Sequence, residues 1–139
     1  MVKVYLAAPM RGVRGALPEV RELLRLIEGY GHEVLTKHVV DDVLDVDRGV
    51  PPRVVFERDI QLLEEADVMV AEVSYPSLGV GFELAYFLMR GKPAAGLVLE
   101  SRLGSLSALI QGITWPNFHL VVYASPQEAV ERLRSKNLL

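Results

Sequence analysis

The chain has 139 residues, no cysteine and a net charge of −3, and 50% of its residues are hydrophobic. We expect one domain over residues 1–139, because a chain of this length buries enough surface to fold without a disulfide or metal. The absence of cysteine excludes disulfides, thiolate zinc sites and cysteine nucleophiles. The mildly acidic charge argues against a nucleic-acid polymer as a partner.

The first part of the chain is predicted to alternate strands and helices. Residues 2–8 form a β-rich apolar run, residues 17–30 space their apolar side chains as a helix does, and residues 32–36 form a second short strand. The polar segment 37–52 has no clear periodicity. A loop of this length in a compact domain is often functional, and a disordered insertion is the alternative.

The second part continues the alternation. A helix over 53–66 leads into a buried strand over 68–73, which Glu72 interrupts, and a helix follows from about 78 to 90. The remaining predicted elements are a strand, a short helix, a strand and a last helix: Ala94–Leu99, 105–111, Phe118–Tyr123, and the segment that begins at Ser125-Pro126.

Alternation of near-continuous apolar strands with helices predicts an α/β fold: a doubly wound, flavodoxin-like parallel sheet of five strands in the order 2-1-3-4-5. Such sheets bind ligands at the carboxyl ends of the strands, where the strand order reverses. The loops after strands one and three, APMRG and SYPSLG, are therefore the predicted site. The chain opens without a basic leader or a long apolar segment, so we expect a cytoplasmic protein that does not contact a membrane.

The run SYPSLGVGFELAY carries the first candidates for chemistry. Ser77 is placed to cap a helix, and Gly79 and Gly81 allow another molecule close to its first turn, which favours an anion such as phosphate. Tight packing of the helix against a strand is the alternative for the glycines. Glu83 lies among apolar residues, and spacing alone leaves open whether it faces a pocket or the exposed strip of the helix.

Other candidates also have simpler explanations. Asp59 could supply a second carboxylate, although its charged neighbours favour a solvated helix face. Tyr5 could hydrogen-bond a carboxylate or be ordinary core, and Arg11 could clamp a phosphate or lie on the surface. His38 could stack on a nucleobase or be structural. Scattered histidines without carboxylates at ligand spacing argue against a metal site.

The run ADVMVAEVSYPSLGVGFELAYFLMRGKP closely resembles the 2′-deoxynucleoside 5′-monophosphate N-hydrolases of the nucleoside 2-deoxyribosyltransferase superfamily. The segments VYLAAPMRG, LTKHVVDD and LSALIQG, and the Glu-Arg-Asp at 57–59, match in order and position. The resemblance covers nearly the whole chain except the 43–52 loop and the last helix.

The resemblance implies the following chemistry. Glu83 attacks C1′ to give a covalent deoxyribosyl-enzyme, and water then releases deoxyribose 5-phosphate. Asp59 assists proton transfer to the leaving base, and Tyr5 orients the glutamate. We also expect the helix dipole to keep Glu83 ionised. No metal or organic cofactor is expected.

The resemblance also implies how a deoxynucleotide substrate would be held in a homodimer. The implied phosphate contacts are Arg11, Ser77, Gly79 and Ser107, the last of which reaches into the partner's site. The implied base pocket contains His38 and Met10. Pro9 departs from the hydrolase pattern, where a serine usually stands, and prolines in this loop are typical of the deoxyribosyltransferases. A base-exchanging transferase is therefore one alternative, and a non-catalytic nucleotide-binding module is another.

Overall fold

The computed structural model describes residues 1–10 and 13–139. Its centre is a five-stranded sheet in the order β2-β1-β3-β4-β5, and every pairing is parallel. The strands are β1 (Lys3–Ala7), β2 (Glu33–Val34), β3 (Val68–Glu72), β4 (Ala94–Leu99) and β5 (Phe118–Tyr123). The predicted fold class and strand order are confirmed.

Helices cover both faces of the sheet. They are α1 (Leu17–Gly29), α2 (Pro52–Glu65), α3 (Leu78–Met89), α4 (Ala108–Gln111) and α5 (Pro126–Ser135). Successive residues of a strand point to opposite faces, so the sheet has two cores. Val4 and Leu6 pack in the core with α1 and α5, whereas Tyr5 and Ala7 pack in the core with α2 and α3.

The connections differ in places from the prediction. β2 is only two residues long, because the chain turns into a short 3₁₀ helix, Lys37–Val40, directly after Thr36. The segment 37–52 also holds a second 3₁₀ turn, Val46–Arg48. The helix predicted over 105–111 is shorter in the structure, where it consists of α4, and a 3₁₀ helix, Glu100–Ser105, precedes it.

The topology brings three segments to one edge of the sheet. β1 and β3 are hydrogen-bonded neighbours, and both end at this edge, at Ala7 and Glu72. The chain after β3 turns through Ser74 and Pro76 into α3.

Within the described residues, no helix is both long enough and apolar enough to cross a membrane.

Candidate active site

A cleft of about 620 Å³ opens at the carboxyl edge of the sheet. Its walls come from the end of β1, from α2 and from the first turns of α3. A small cavity of about 30 Å³ shares four of its lining residues, which are Ala8, Met10, Asp59 and Glu83. The sequence-predicted edge is therefore the edge that carries the cleft.

Glu83 lies in the second turn of α3 and lines both cavities. Its carboxylate accepts a hydrogen bond from the hydroxyl of Tyr5. Burial raises the pKa of Glu83 to about 7, and the negative charge of Asp59 adds to this, although the Tyr5 hydrogen bond lowers it. Burial therefore opposes the ionised form that the helix dipole was expected to favour, and the carboxyl group gains or loses its proton near pH 7.

Tyr5 belongs to the core and to the site at once. It is only 2% exposed on β1, yet its hydroxyl reaches the cavity beside Glu83. Burial raises the pKa of Tyr5 far above its ordinary value, and the carboxylates of Glu83 and Asp59 raise it further. The hydroxyl is therefore protonated at any physiological pH and acts as a donor.

Asp59 lies on α2 and lines both cavities. Only 23% of its side chain is exposed, so the solvated helix face that its charged neighbours favoured is wrong. Its Oδ1 accepts a hydrogen bond of 3.0 Å from Nε of Arg58. The structure thus brings the two candidate carboxylates, Asp59 and Glu83, to one cleft.

His38 lies in the 3₁₀ helix after β2 and lines the small cavity, as Met10 does. Burial lowers the pKa of His38, and the positive charge of Arg58 lowers it further, so the ring is neutral near pH 7. Its Nε2 lies 3.2 Å from a guanidinium nitrogen of Arg58 and 4.0 Å from Oδ1 of Asp59. Both candidate base-pocket residues therefore lie beside the carboxylates.

The start of α3 has the form of an anion site. Ser77 is its N-cap, and the Ser77 hydroxyl accepts a hydrogen bond from the N–H of Val80. The N–H groups of Leu78 and Gly79 have no partner within the helix, because the first turn of any helix leaves them free. Tight packing as the reason for the glycines is wrong: a Cβ at Gly79 would approach only Ser77 Oγ, at 3.9 Å, and at Gly81 nothing within 4 Å.

One predicted phosphate contact, Ser107, does not line this cleft. Ser107 caps α4 and lines a second, largely apolar cleft of about 490 Å³, which also contains Ser77 and Leu78. Arg11 lies outside the described residues. Among the residues that the structure describes, no group of three or more His, Asp or Glu could hold a metal ion.

The sequence analysis did not identify Arg58, which connects Asp59 and His38 of the site with the 37–52 segment. Arg58 donates to Asp59, contacts His38 and forms an ion pair with Asp45 from the 37–52 segment. Its neighbour in the Glu-Arg-Asp triplet was recognised, but a charged side chain between charged neighbours carries no signal of its own. Only the meeting of α2 with the 37–52 segment reveals its role.

Comparisons with known proteins agree with this architecture. The family model described as nucleoside 2-deoxyribosyltransferase matches residues 4–122. A Thermofilum pendens protein, provisionally named 2′-deoxynucleoside 5′-phosphate N-hydrolase 1, is 67% identical over 134 residues, which are 96% of this chain and 94% of that protein.

Two more distant proteins extend the comparison. The 5-hydroxymethyl-dUMP N-hydrolase of Rattus norvegicus is 37% identical over 112 residues, which are 78% of this chain and 68% of that protein. The solved structure of a Clostridium botulinum CMP N-glycosidase has a like fold, with a TM-score of 0.72 and 21% identity over 96% of this chain and 98% of that one. The extent of the family match and the identity to these relatives lead to one conclusion: the chain belongs to the nucleoside 2-deoxyribosyltransferase family.

Proposed function

We propose that this protein hydrolyses the N-glycosidic bond of 2′-deoxynucleoside 5′-monophosphates, giving free base and deoxyribose 5-phosphate. The observation that carries the proposal is the Glu83 carboxylate, held by Tyr5 in a cleft next to the open first turn of α3. A carboxylate and an anion site in one cleft suit a substrate with a glycosidic bond and a phosphate. The names of the T. pendens and rat relatives support the same reaction class.

Glu83 is the proposed nucleophile. Its ionised carboxylate attacks C1′, the bond from C1′ to the base nitrogen breaks, and the electron pair leaves with the base. Asp59, the second carboxylate of the cleft, is the proposed proton carrier between solvent and the leaving base. Water then attacks C1′, the bond between C1′ and Glu83 breaks, and Asp59 takes the proton that the water loses, which releases deoxyribose 5-phosphate and the Glu83 carboxylate. Tyr5 orients the nucleophile by its hydrogen bond.

The substrate's two ends are assigned to different parts of the cleft. Ser77 and the N–H of Gly79 are proposed phosphate contacts, because both lie at the N-terminus of α3. Arg11 is proposed as a third contact from the family resemblance, since a guanidinium matches the oxygens of a phosphate. Pro9 is buried and has no N–H to contribute. His38 and Met10, which line the inner cavity, are the proposed base contacts.

We further propose a homodimer in which Ser107 of one subunit contacts the phosphate in the site of the other. The support is twofold. Ser107 does not line the Glu83 cleft of its own chain. Leu78 and Leu109, which line the second cleft beside it, are 97% and 81% exposed, and such apolar surface is typical of an interface. A cytoplasmic location stays a prediction from the sequence.

A chromatographic assay tests the reaction. A panel of deoxynucleosides and their 5′-monophosphates is incubated with the enzyme, and free base and deoxyribose 5-phosphate are quantified. We expect base release from monophosphates, and its loss by at least about 10³-fold in Glu83→Gln. The matched control is Glu131→Gln, which changes an exposed glutamate on α5.

Two outcomes of this assay would favour the alternative functions. A new nucleoside formed when a second free base is supplied would identify a transferase. Tight binding of a monophosphate with no base release over long incubation would identify a non-catalytic nucleotide-binding module.

A further inference from the structure

A carboxylate is fully buried at the end of β3, outside both clefts. Glu72 is 0% exposed, and its strand neighbour in β4 is Leu97. A buried carboxylate costs several kcal/mol unless it is hydrogen-bonded, and a well-packed hydrophobic residue in its place is often neutral or stabilising. Burying Glu72 therefore costs free energy, and the packing of the core does not need a carboxylate at this position.

The hydrogen bonds of Glu72 lead to the turn after β3. One carboxylate oxygen accepts the backbone N–H of Ser74 at 2.6 Å, and the other accepts the hydroxyl of Tyr123, at the end of β5. Ser74 is itself only 1% exposed. Glu72 thus links the backbone of the turn to β5.

Other contacts hold the same turn from the opposite side. The Ser74 hydroxyl accepts the N–H of Leu99 at 2.8 Å, and its carbonyl accepts Nε of Arg102 at 3.2 Å. The guanidinium of Arg102 stacks over the ring of Tyr75 at 4.2 Å. Tyr75 in turn packs against Gly15, where a Cβ would lie 2.3 Å from the ring. The residues that precede the α3 cap therefore have little freedom.

We propose that Glu72 is a positioning residue for phosphate recognition. By fixing the N–H of Ser74, it sets where the turn delivers Ser77 and the free N–H groups of the first turn of α3. The inference rests on the proposed function, because it takes the α3 N-terminus as the 5′-phosphate site. Glu72 lines neither cleft, so it acts through the turn and touches no substrate.

Three variants separate positioning from packing. Glu72→Met keeps an unbranched side chain of similar length but accepts neither hydrogen bond. Glu72→Gln keeps an oxygen for Ser74, and its amide can donate to the Tyr123 oxygen. Tyr123→Phe removes only the hydrogen bond between Tyr123 and Glu72 and keeps the one from the Ser74 N–H to Glu72. Glu72→Leu replaces Glu72→Met if the latter does not fold.

The readouts are KM and kcat for a deoxynucleoside 5′-monophosphate, the same constants for the unphosphorylated deoxynucleoside, and Kd for deoxyribose 5-phosphate by calorimetry. In Glu72→Met we expect KM for the monophosphate and Kd for deoxyribose 5-phosphate to rise about tenfold, with kcat changed less than about threefold. The constants for the unphosphorylated nucleoside stay unchanged. Glu72→Gln and Tyr123→Phe stay within about threefold of the wild type throughout.

Equal losses on both substrates in Glu72→Met, or a wild-type KM for the monophosphate, would overturn the inference. A lowered melting temperature with unchanged constants would overturn it as well, because it would make Glu72 purely structural. Absence of base release by the wild-type enzyme is a different result, which refutes the proposed function. Deoxyribose 5-phosphate binding then still tests Glu72, because it needs no turnover.

Discussion

The hydroxyl of Tyr5 and the carboxylate of Glu83, 78 residues apart in the chain, are joined by a hydrogen bond, and both residues line the small cavity. β1 supplies the donor and α3 the acceptor, and both belong to the same core. The bond stabilises the ionised form of Glu83 against a burial that favours the protonated form. Glu83, the proposed nucleophile, is therefore linked to the core through one tyrosine.

Removing the hydrogen bond between Tyr5 and Glu83 should shift the pH dependence of kcat/KM in a defined direction. With Glu83 as nucleophile, kcat/KM of the wild type rises with pH through about 7, since its pKa lies there and only the ionised form attacks. Tyr5→Phe loses a contact that lowers this pKa, so the rise moves to higher pH and the rate at pH 7 falls about tenfold or more. The measurement is kcat/KM from pH 5 to 9.

The control for this experiment is Tyr30→Phe, a tyrosine at the end of α1 that lines none of the described cavities. It leaves the profile unchanged. A Tyr5→Phe profile that coincides with the wild type would remove Tyr5 from the mechanism.

Burial of Glu83 also predicts a stability gain on its neutralisation. The folded-state pKa of about 7 exceeds the ordinary value of 4.5, so the folded protein binds the extra proton between these pH values and loses stability as pH rises through them. Glu83→Gln has no such loss. Its free energy of unfolding should exceed that of the wild type by at most about 3 kcal/mol at pH 8, and the difference should vanish below pH 4 to 5.

Urea denaturation of both proteins at pH 4.5 and pH 8 measures this difference, with Glu131→Gln as the exposed control. A gain of the same size at both pH values would mean that the effect comes from packing and not from ionisation.

Arg58 connects the 37–52 segment to the site, so its removal should affect both. Arg58→Met leaves Asp59 without its 3.0 Å donor and breaks the ion pair with Asp45. We expect kcat/KM to fall about tenfold, because Asp59, the proposed proton carrier, loses its fixed orientation. The pKa of His38 should rise, since one of the charges that lowers it disappears and the carboxylates around it remain.

NMR titration of the His38 ring measures the second effect. Arg53→Met is the matched control, because Arg53 lies five residues earlier on α2 and pairs only weakly, at 3.8 Å, with Glu57. A His38 pKa that falls or stays constant in Arg58→Met would contradict the assigned charge balance.

Local sequence patterns were sufficient for the sheet and for the strand–turn–helix that carries Ser77 and Glu83. They were insufficient wherever a side chain's role depends on a distant partner. Asp59 looked solvated because its sequence neighbours are charged, yet it lines the cleft together with Glu83 of α3. Glu72 looked like an interruption of a strand, because its partner Tyr123 lies 51 residues away.

The pKa of Glu83 also depends on packing beyond its own helix. A helix position suggests a dipole and hence an ionised carboxylate, whereas burial depends on how α3 packs over β1, which spacing within α3 does not describe. The length of β2 was overestimated for a similar reason, since the prediction continued this strand through Thr36. In the structure, the hydroxyl of Thr36 forms hydrogen bonds with the backbone of Leu6, and the chain then enters a 3₁₀ helix.

The proposed contribution of Ser107 to the partner's site has a direct test in mixed dimers. Ser107→Asp keeps a good cap for α4 but places a negative charge beside the phosphate, so it is inactive on monophosphates, as is Glu83→Gln. In a heterodimer of the two, one site carries both defects and the other carries neither. Random mixing should therefore restore about one quarter of wild-type activity, because half of the dimers are mixed and half of their sites are intact.

If Ser107 acts within its own chain, or if the protein is a monomer, every site keeps one defect and mixing restores nothing. Adding Leu109→Asp to both variants tests the interface itself, since this side chain is 81% exposed and lines the second cleft. We expect it to abolish the recovery and to give a monomer in sedimentation velocity. Full recovery in its presence would place the interface elsewhere on the chain.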